Sequence, residues 1–230
     1  GTTALLTAFL VVAAPWPVAA GGLSFVETEG SGTEGLAVSP DGMNVYASRG
    51  NRDLLVHTRN PTTGELTLLQ TLEDEIGGDN GFARGNSVAV SPDGDCVYVA
   101  TSSYDKVAAF SRSNVDGTLT FVSVEEDGVG GVTALVNPED VLVSPDSLHV
   151  YVTAEESVFG ADRSSVVAFA RTPPACGLTY VETEFGDAAG LGLSGPADGF
   201  TIAPDGEHLF VAGRFEVGAN VYVRALTVEP

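Results

Sequence analysis

A four-residue turn sequence that recurs along the chain constrains its fold more than any other feature. Its copies begin at residues 39, 91, 144 and 203, so the repeat period is about fifty residues. Such a period is typical of β-propellers and other arrays, in which each repeat is a small unit that stacks on its neighbours. The four copies are Ser39–Gly42, Ser91–Gly94, Ser144–Ser147 and Ala203–Gly206.

Each turn lies between runs of residues that favour strands. Ser, Pro, Asp and Gly suit a tight type I turn, and the apolar runs on both sides of it indicate a β-hairpin. A third run ends in an aromatic residue, one further residue and an Arg, as in Phe110–Arg112, and a fourth begins with Leu-Thr, as in Leu119–Val122. Four strands per repeat make one propeller blade. The sequence predicts an all-β fold, a β-propeller of four-stranded antiparallel blades with about four blades visible.

The two ends of the array indicate how a ring could close. Residues 23–29 copy a fourth strand without the three strands that precede it in a blade, and the last repeat reaches only a third strand near Arg224. An N-terminal strand that completed the last blade would close the ring and remove exposed sheet edges. We expect such a closed ring in preference to the alternative, a slice of a larger propeller.

An apolar run precedes the repeats. Residues Ala4–Ala14 include only Thr7 as a polar residue, and small residues follow. This pattern predicts a secretory signal peptide over residues 1–20, without a basic n-region, and a single propeller domain over residues 21–230. We therefore expect a secreted or periplasmic protein. The run is shorter than the roughly 20 apolar residues of a membrane helix, so no membrane span is expected in the mature chain. The alternative is a buried strand or helix of the fold.

The charge of the chain limits its partners. Ten Lys and Arg residues stand against 31 Asp and Glu residues, which gives a net charge of −21 at pH 7. Phosphate would be repelled by this surface, so nucleic acid is excluded as a partner. We expect a small molecule, a cation or an extracellular protein or polymer instead.

The two cysteines, Cys96 and Cys176, match no zinc or redox spacing. In an exported protein they could form one disulfide. However, both lie near turns of different repeats, and the distance between them cannot be tested from sequence. The sequence does not decide whether Cys96 and Cys176 pair, and we expect them to be unpaired.

The repeats carry a family resemblance. The turn followed by Val97–Ala100 or Val150–Thr153, the strand Val107–Arg112 and the segment Gly117–Thr120 resemble the lactonase-type β-propellers of exported bacterial proteins. These are the Tyr-Val-Thr-Asn repeat propellers, which include 6-phosphogluconolactonase-like proteins. The resemblance implies a propeller that usually has seven blades, of which this chain would be a fragment. It also implies lactone chemistry in some relatives. No relative's catalytic residue maps onto a position of this sequence.

A polar residue precedes the innermost strand of each repeat. These residues are Glu34, Asn86, Glu139 and Asp198, and Asp140 adjoins them. Because the innermost strands line the central channel of a propeller, we expect a carboxylate-rich ring at the channel mouth. Hard cations prefer such oxygen ligands, so Glu34, Glu139, Asp140 and Asp198 are candidate metal ligands and Ca²⁺ is a possible cofactor. The alternative is a solvated acidic surface.

No recognised catalytic motif accompanies this ring. The sequence contains neither the G-x-S-x-G nor the H-E-x-x-H pattern, and the Arg that ends each third strand suggests a structural role because every repeat has it. The leading functional hypothesis is an exported binding or scaffold module whose acidic channel face takes a cation or small ligand. The alternative is a lactonase-like hydrolase in which Glu139, Asp140 and Asp198 are candidate catalytic residues that activate water.

Overall fold

The computed structural model describes residues 32–50, 53–73, 85–158, 161–185, 197–213 and 222–225. Within these ranges the chain forms strands and turns and no α-helix, and therefore no helix that could cross a membrane. The strands are β1 (Thr33–Val38), β2 (Asn44–Arg49), β3 (Asp53–Arg59), β4 (Leu66–Glu73), β5 (Gly85–Val90), β6 (Cys96–Thr101), β7 (Lys106–Arg112), β8 (Leu119–Glu126), β9 (Pro138–Val143), β10 (His149–Val158), β11 (Ala161–Arg171), β12 (Leu178–Phe185), β13 (Ala197–Ile202), β14 (His208–Gly213) and β15 (Tyr222–Ala225).

The strands form four antiparallel sheets in chain order. Blade 1 is β1–β4, blade 2 is β5–β8, blade 3 is β9–β12, and blade 4 has the three described strands β13–β15. The predicted all-β propeller of four-stranded blades is confirmed. The sequence predicts this fold because each repeated turn joins two runs of residues that favour strands. None of these runs has the period of a helix.

The first strands of the blades form the inner row of the propeller. β1 contacts β5, β5 contacts β9, and β9 contacts β13. β1 and β13 are the two ends of this row, and the expected ring is not closed within the described residues. The strand predicted for residues 23–29 and the signal peptide predicted for residues 1–20 lie outside those residues.

The repeated turn is stabilised by its own side chains. In the first copy the Ser39 hydroxyl donates a hydrogen bond to the Asp41 carboxylate (2.6 Å). Gly42 follows at φ 71°, a left-handed conformation that favours glycine. The third copy has Ser147 at this position with φ 64°, and its hydroxyl accepts a hydrogen bond from the Asp93 amide of the preceding blade (3.1 Å). The serine thus gains an inter-blade partner that glycine could not provide.

The hydrophobic core lies between blades. Side chains alternate along each strand, so one set faces the preceding blade and the other set faces the following blade. Three clusters result. Tyr46, Leu54 and Val56 of blade 1 meet Val97, Val99 and Phe110 of blade 2; Tyr98 and Val107 of blade 2 meet Val150, Val152 and Phe169 of blade 3; and Tyr151 and Ala168 of blade 3 meet Leu209 and Val211 of blade 4.

An ion pair joins the same two repeat positions at two blade interfaces. Arg112 at the end of β7 contacts Asp41 in the turn of blade 1 (Nη2 to Oδ2, 2.6 Å), and Arg171 at the end of β11 contacts Asp93 in the turn of blade 2 (Nη1 to Oδ2, 2.7 Å). The two arginine side chains are 3% and 0% exposed. We call this Asp–Arg pair the blade latch. It confirms the structural role predicted for the arginines at these two positions.

A disulfide joins Cys96 of β6 to Cys176, whose Cα atoms lie 5.5 Å apart. The expectation of unpaired cysteines is wrong. Equivalent residues meet at each interface between blades, and the two cysteines have positions that are also in contact at the preceding interface. Asn44 has the repeat position of Cys96, and Gly117 has that of Cys176. Asn44 lies so close to Gly117 that a Cβ on the glycine would collide with it. Cysteines at two positions already in contact are within reach of a disulfide.

Candidate functional site

Each inner strand carries a β-bulge at the position predicted to line the channel mouth. The pairing register skips one residue in β1, β5, β9 and β13, and the skipped residues are Glu34, Asn86, Glu139 and Asp198. A bulged residue leaves the regular ladder, so its side chain can be aimed away from the alternation of the strand. The positions that the repeat identified are therefore equivalent in backbone geometry as well as in sequence.

Glu139 is held between blades 2 and 3. Its Oε1 accepts a hydrogen bond from Asn137 Nδ2 (2.8 Å), and its Oε2 accepts one from Asn86 Nδ2 (3.3 Å). The Ser102 hydroxyl donates to Asn86 Oδ1 (3.1 Å), which orients the amide so that its NH₂ group faces the carboxylate. Asn137 has φ 48°, a left-handed conformation that asparagine tolerates better than most residues. The carboxylate is thus fixed by donors from two blades.

One carboxylate oxygen of Asp140 is held by hydrogen bonds, and the other is available to a ligand. Its Oδ1 accepts a short hydrogen bond from the Ser87 hydroxyl of blade 2 and a second from the Val141 amide (2.9 Å). Its Oδ2 accepts none within the described residues, and the side chain is half-buried. An immobilised carboxylate with one available oxygen can accept a proton or bind a cation or a hydroxyl group.

The other two predicted carboxylates are placed differently. Glu34 is exposed, and its carboxylate lies against Gly50. Among the described side chains, Glu34, Glu139 and Asp140 do not bring their carboxylate oxygens within 4.8 Å of one another, as a shared ion would require. Asp198 is the bulged residue of β13, but its side chain lies outside the described part of the structure. The described part of the predicted ring is therefore the Glu139–Asp140 pair with its partners from blade 2.

Two acidic residues, Asp127 of the loop between β8 and β9 and Asp105 of the turn between β6 and β7, bind backbone amides of that loop. Asp127 Oδ1 accepts a hydrogen bond from the Leu135 amide (2.9 Å), and Asp105 Oδ1 accepts one from the Asn137 amide (2.6 Å). The second bond positions Asn137, which in turn positions Glu139. These two carboxylates therefore support the loop beside the channel mouth.

One group of side chains in the described residues has its possible ligand atoms within 4.8 Å of one another, as an ion would require. It consists of Asp205, Glu207 and His208, of which the first two are exposed. The group lies in the turn of blade 4, and it includes none of the predicted metal ligands. Exposed acidic groups of this kind are common on surfaces without any ion.

Sequence reasoning missed the residues that hold the carboxylate pair. Ser87 has the repeat position of Asp140, one blade earlier, so an alignment of the four repeats could have identified it. Asn137 and Ser102 lie in connections whose sequences differ between repeats, and no pattern singles them out. Only the folded structure brings these three side chains to the channel mouth.

Antiparallel blades on an inner row of strands with polar bulged residues define this protein as a β-propeller. The sequence profile of one propeller family, described as "Lactonase, 7-bladed beta-propeller", matches residues 25–157. The match extends over more than half of the chain, and the chain belongs to this family. The resemblance carried by the repeats is thereby confirmed.

Solved structures share the fold. A protein of Bacteroides uniformis, named as a 6-phosphogluconolactonase, is 24% identical with a TM-score of 0.65 over 84% of this chain and 51% of that chain. A protein of Lactobacillus plantarum is 19% identical (TM-score 0.64, 85% and 52% covered), and the periplasmic gluconolactonase of Pseudomonas aeruginosa is 20% identical (TM-score 0.57, 79% and 47% covered). The chain thus spans about half the length of these proteins. No curated protein sequence matches it.

Proposed function

We propose that the channel mouth of blades 2 and 3 binds and hydrolyses a lactone, with Asp140 as the base that activates water. The observation that carries this proposal is the Asp140 carboxylate, which keeps Oδ2 available while Ser87 and the Val141 amide hold Oδ1. Membership of the lactonase family supports the substrate class. This chain spans about half the length of its structural relatives. That the complete protein is a lactonase is therefore also a proposal.

The reaction requires only water as a co-reactant. Asp140 Oδ2 accepts a proton from water as the water oxygen forms a bond to the lactone carbonyl carbon. The ring C–O bond then breaks, and the alkoxide that leaves takes up the proton. The product is the open-chain hydroxy acid. Glu139 is already held by amide donors from both blades, so its role in this proposal is to fix the position of the ligand.

A panel of lactones of sugar acids tests this proposal. We expect turnover by the wild-type chain and a loss of roughly 100-fold or more in kcat/KM for Asp140→Asn, because this change removes the base and keeps the shape. Glu65→Gln is the matched control, since Glu65 is an exposed carboxylate in the turn between β3 and β4. A kcat/KM of Asp140→Asn equal to that of the wild-type chain would show that Asp140 is not the base.

The second candidate is an exported binding module without catalysis, which uses the channel mouth for a cation or a small ligand. It is favoured by the Glu139 carboxylate, which is bonded at both oxygens and is therefore suited to a fixed binding geometry. A folded protein that hydrolyses no lactone but is stabilised by lactones or by Ca²⁺ would favour this candidate. Under it, Asp140→Asn would abolish the stabilisation and Glu65→Gln would not.

A further inference from the structure

The residue after each bulge of an inner strand pairs with a residue of the second strand of the same blade. In blade 3 this pair is Asp140 of β9 and Thr153 of β10. The equivalent pairs of the other blades are Gly35–Ser48, Ser87–Ala100 and Gly199–Ala212. Among these four pairs of the described blades, only Asp140–Thr153 has a polar side chain on both strands. Blade 3 therefore has a second polar group opposite the carboxylate of the channel mouth.

The hydroxyl of Thr153 is buried without a partner. The residue is 0% exposed, and its Oγ1 makes no hydrogen bond within the described residues. Ser48, at the same repeat position of blade 1, is also buried, but its hydroxyl accepts a hydrogen bond from the Gly35 amide (3.0 Å). Buried hydroxyls nearly always have a partner, because the loss of hydration without a hydrogen bond costs free energy. The Thr153 hydroxyl therefore indicates a bound molecule that supplies this partner.

Asp140 is the polar side chain on the same face as Thr153. Residues that pair directly across antiparallel strands have their side chains on one face, with Cβ atoms about 4.5–5.5 Å apart. The equivalent pair of blade 1 has this arrangement, since an ideal Cβ on Gly35 would lie 2.8 Å from Ser48 Oγ. Asp140 Oδ1 is held by two hydrogen bonds, whereas Oδ2 accepts none within the described part of the chain. A carboxylate oxygen and a hydroxyl that both lack partners there are thus neighbours in one hairpin.

We propose that Asp140 Oδ2 and the Thr153 hydroxyl together bind the water molecule that attacks the lactone. This inference rests on the proposed function, in which Asp140 is the base. The water donates one hydrogen to each of the two oxygens, which leaves a lone pair of the water oxygen for the carbonyl carbon. As that bond forms, one proton passes to Asp140 Oδ2, while Thr153 keeps its own proton and holds the second hydrogen of the water. A buried water needs several polar partners of this kind.

The kinetic constants of two Thr153 variants test this water site. Thr153→Val removes the hydroxyl and keeps the shape of the side chain. We expect its kcat for sugar-acid lactones to fall roughly tenfold or more with an unchanged KM, because the water and not the lactone is misplaced. Thr153→Ser keeps the hydroxyl and should retain most of the activity. Ser48→Ala is the matched control, since it removes a buried hydroxyl at the same repeat position and should leave both constants unchanged.

The double variant of Thr153→Val with Asp140→Asn tests whether the two residues act on the same water. Residues that act as a unit have strongly non-additive effects on kcat. We therefore expect the double variant to be no slower than Asp140→Asn alone. A kcat of Thr153→Val equal to that of the wild-type chain overturns the inference, and so does a double variant that shows the full product of the two single losses.

The melting temperature tests the water site separately from the reaction. We expect Thr153→Val to melt at a lower temperature than the wild type, because the bound water loses a hydrogen-bond partner. Removal of a hydroxyl that binds nothing would instead leave the melting temperature unchanged or raise it. A chain that hydrolyses no lactone overturns the proposed function. In that chain, a lower melting temperature of Thr153→Val would still support the water site, and an equal or higher one would overturn it.

Discussion

At the scale of single residues, the blade interfaces depend on buried arginines. Arg112 donates from Nε to the Tyr46 hydroxyl (2.7 Å) and from Nη2 to Asn44 Oδ1 (2.9 Å), in addition to its ion pair with Asp41. Blade 1 thus accepts from Nε and Nη2 of Arg112, whereas Nη1 donates to the Gly94 carbonyl in its own blade (3.2 Å). Loss of Arg112 would leave several buried acceptors without partners, and this costs more than the loss of an exposed ion pair.

Arg112→Met is expected to lower the free energy of unfolding by about 2–3 kcal/mol, because the acceptors of blade 1 lose their donor. Arg59→Met is the matched control. It removes an arginine from the same repeat position without an ion pair in the described residues, and we expect a loss of about 1 kcal/mol or less. Urea unfolding of the two variants measures both values. Equal losses would mean that the ion pair contributes nothing to stability.

The latch also predicts how stability depends on pH. The Ser39 hydroxyl, against the effect of burial, together with the Met43 amide and Arg112, lowers the pKa of Asp41 from 3.8 to about 2. The pKa is depressed in the folded state, so the carboxylate stabilises the fold above about pH 4 and this contribution is lost as the pH falls toward about 2. The urea midpoint should therefore fall across this window. Asp41→Asn should show a weaker dependence there, and an identical profile would contradict the prediction.

At the scale of secondary structure elements, equivalent positions of different blades meet in equivalent ways. Asn44 and Cys96 begin the second strands of blades 1 and 2, and each contacts the loop before the fourth strand of the next blade. The first interface uses hydrogen bonds of Asn44, and the second uses the disulfide. Arg171 Nη2 is buried without a hydrogen-bond partner in the described residues, because Cys96 provides no oxygen where Asn44 provides one to Arg112.

This equivalence predicts a rescue of the disulfide. Cys96→Ala with Cys176→Ala is expected to lower the free energy of unfolding by about 2–5 kcal/mol, since the bond closes a long loop of the unfolded chain. Cys96→Asn with Cys176→Gly copies the contact of Asn44 with Gly117 and gives Arg171 Nη2 an acceptor. We expect the second pair of changes to be less destabilising than the first. Thermal or urea unfolding under non-reducing conditions decides the order, and the reverse order would refute the equivalence.

At the scale of the whole molecule, the net charge of −21 opposes compaction. Like charges repel one another most strongly at low ionic strength, where the Debye length is long. The described cations are largely used inside the fold, as Arg112 and Arg171 are in the latches and Lys106 is with Glu126 (3.2 Å). The acidic surface is therefore left to be screened by ions of the solution.

We expect the melting temperature to rise as NaCl increases from about 0.01 M to about 0.5 M, because screening relieves the repulsion. CaCl₂ at the same ionic strength distinguishes general screening from a specific site. A further rise with Ca²⁺ that Asp140→Asn removes would indicate an ion at the channel mouth. A melting temperature that does not change with salt would show that the charge has no effect on stability.

The sequence by itself determined the strands, the turns and the grouping into blades, because turn chemistry and strand patterns are local and repeat four times. It also identified the bulged positions Glu34, Asn86, Glu139 and Asp198, since they share a place in the repeat. It could not give the partners of these residues. Asn137 and Ser102 reach Glu139 and Asn86 from connections that have no common pattern.

The tertiary structure alone decided what meets across the blades. It paired Cys96 with Cys176, joined Arg112 to Asp41, and did not bring Glu34, Glu139 and Asp140 together as one group of possible metal ligands. These contacts depend on the angle and stagger between neighbouring sheets, which no single repeat encodes. The sequence therefore specifies the blade, whereas the packing of one blade on the next specifies the interfaces and the geometry of the channel mouth.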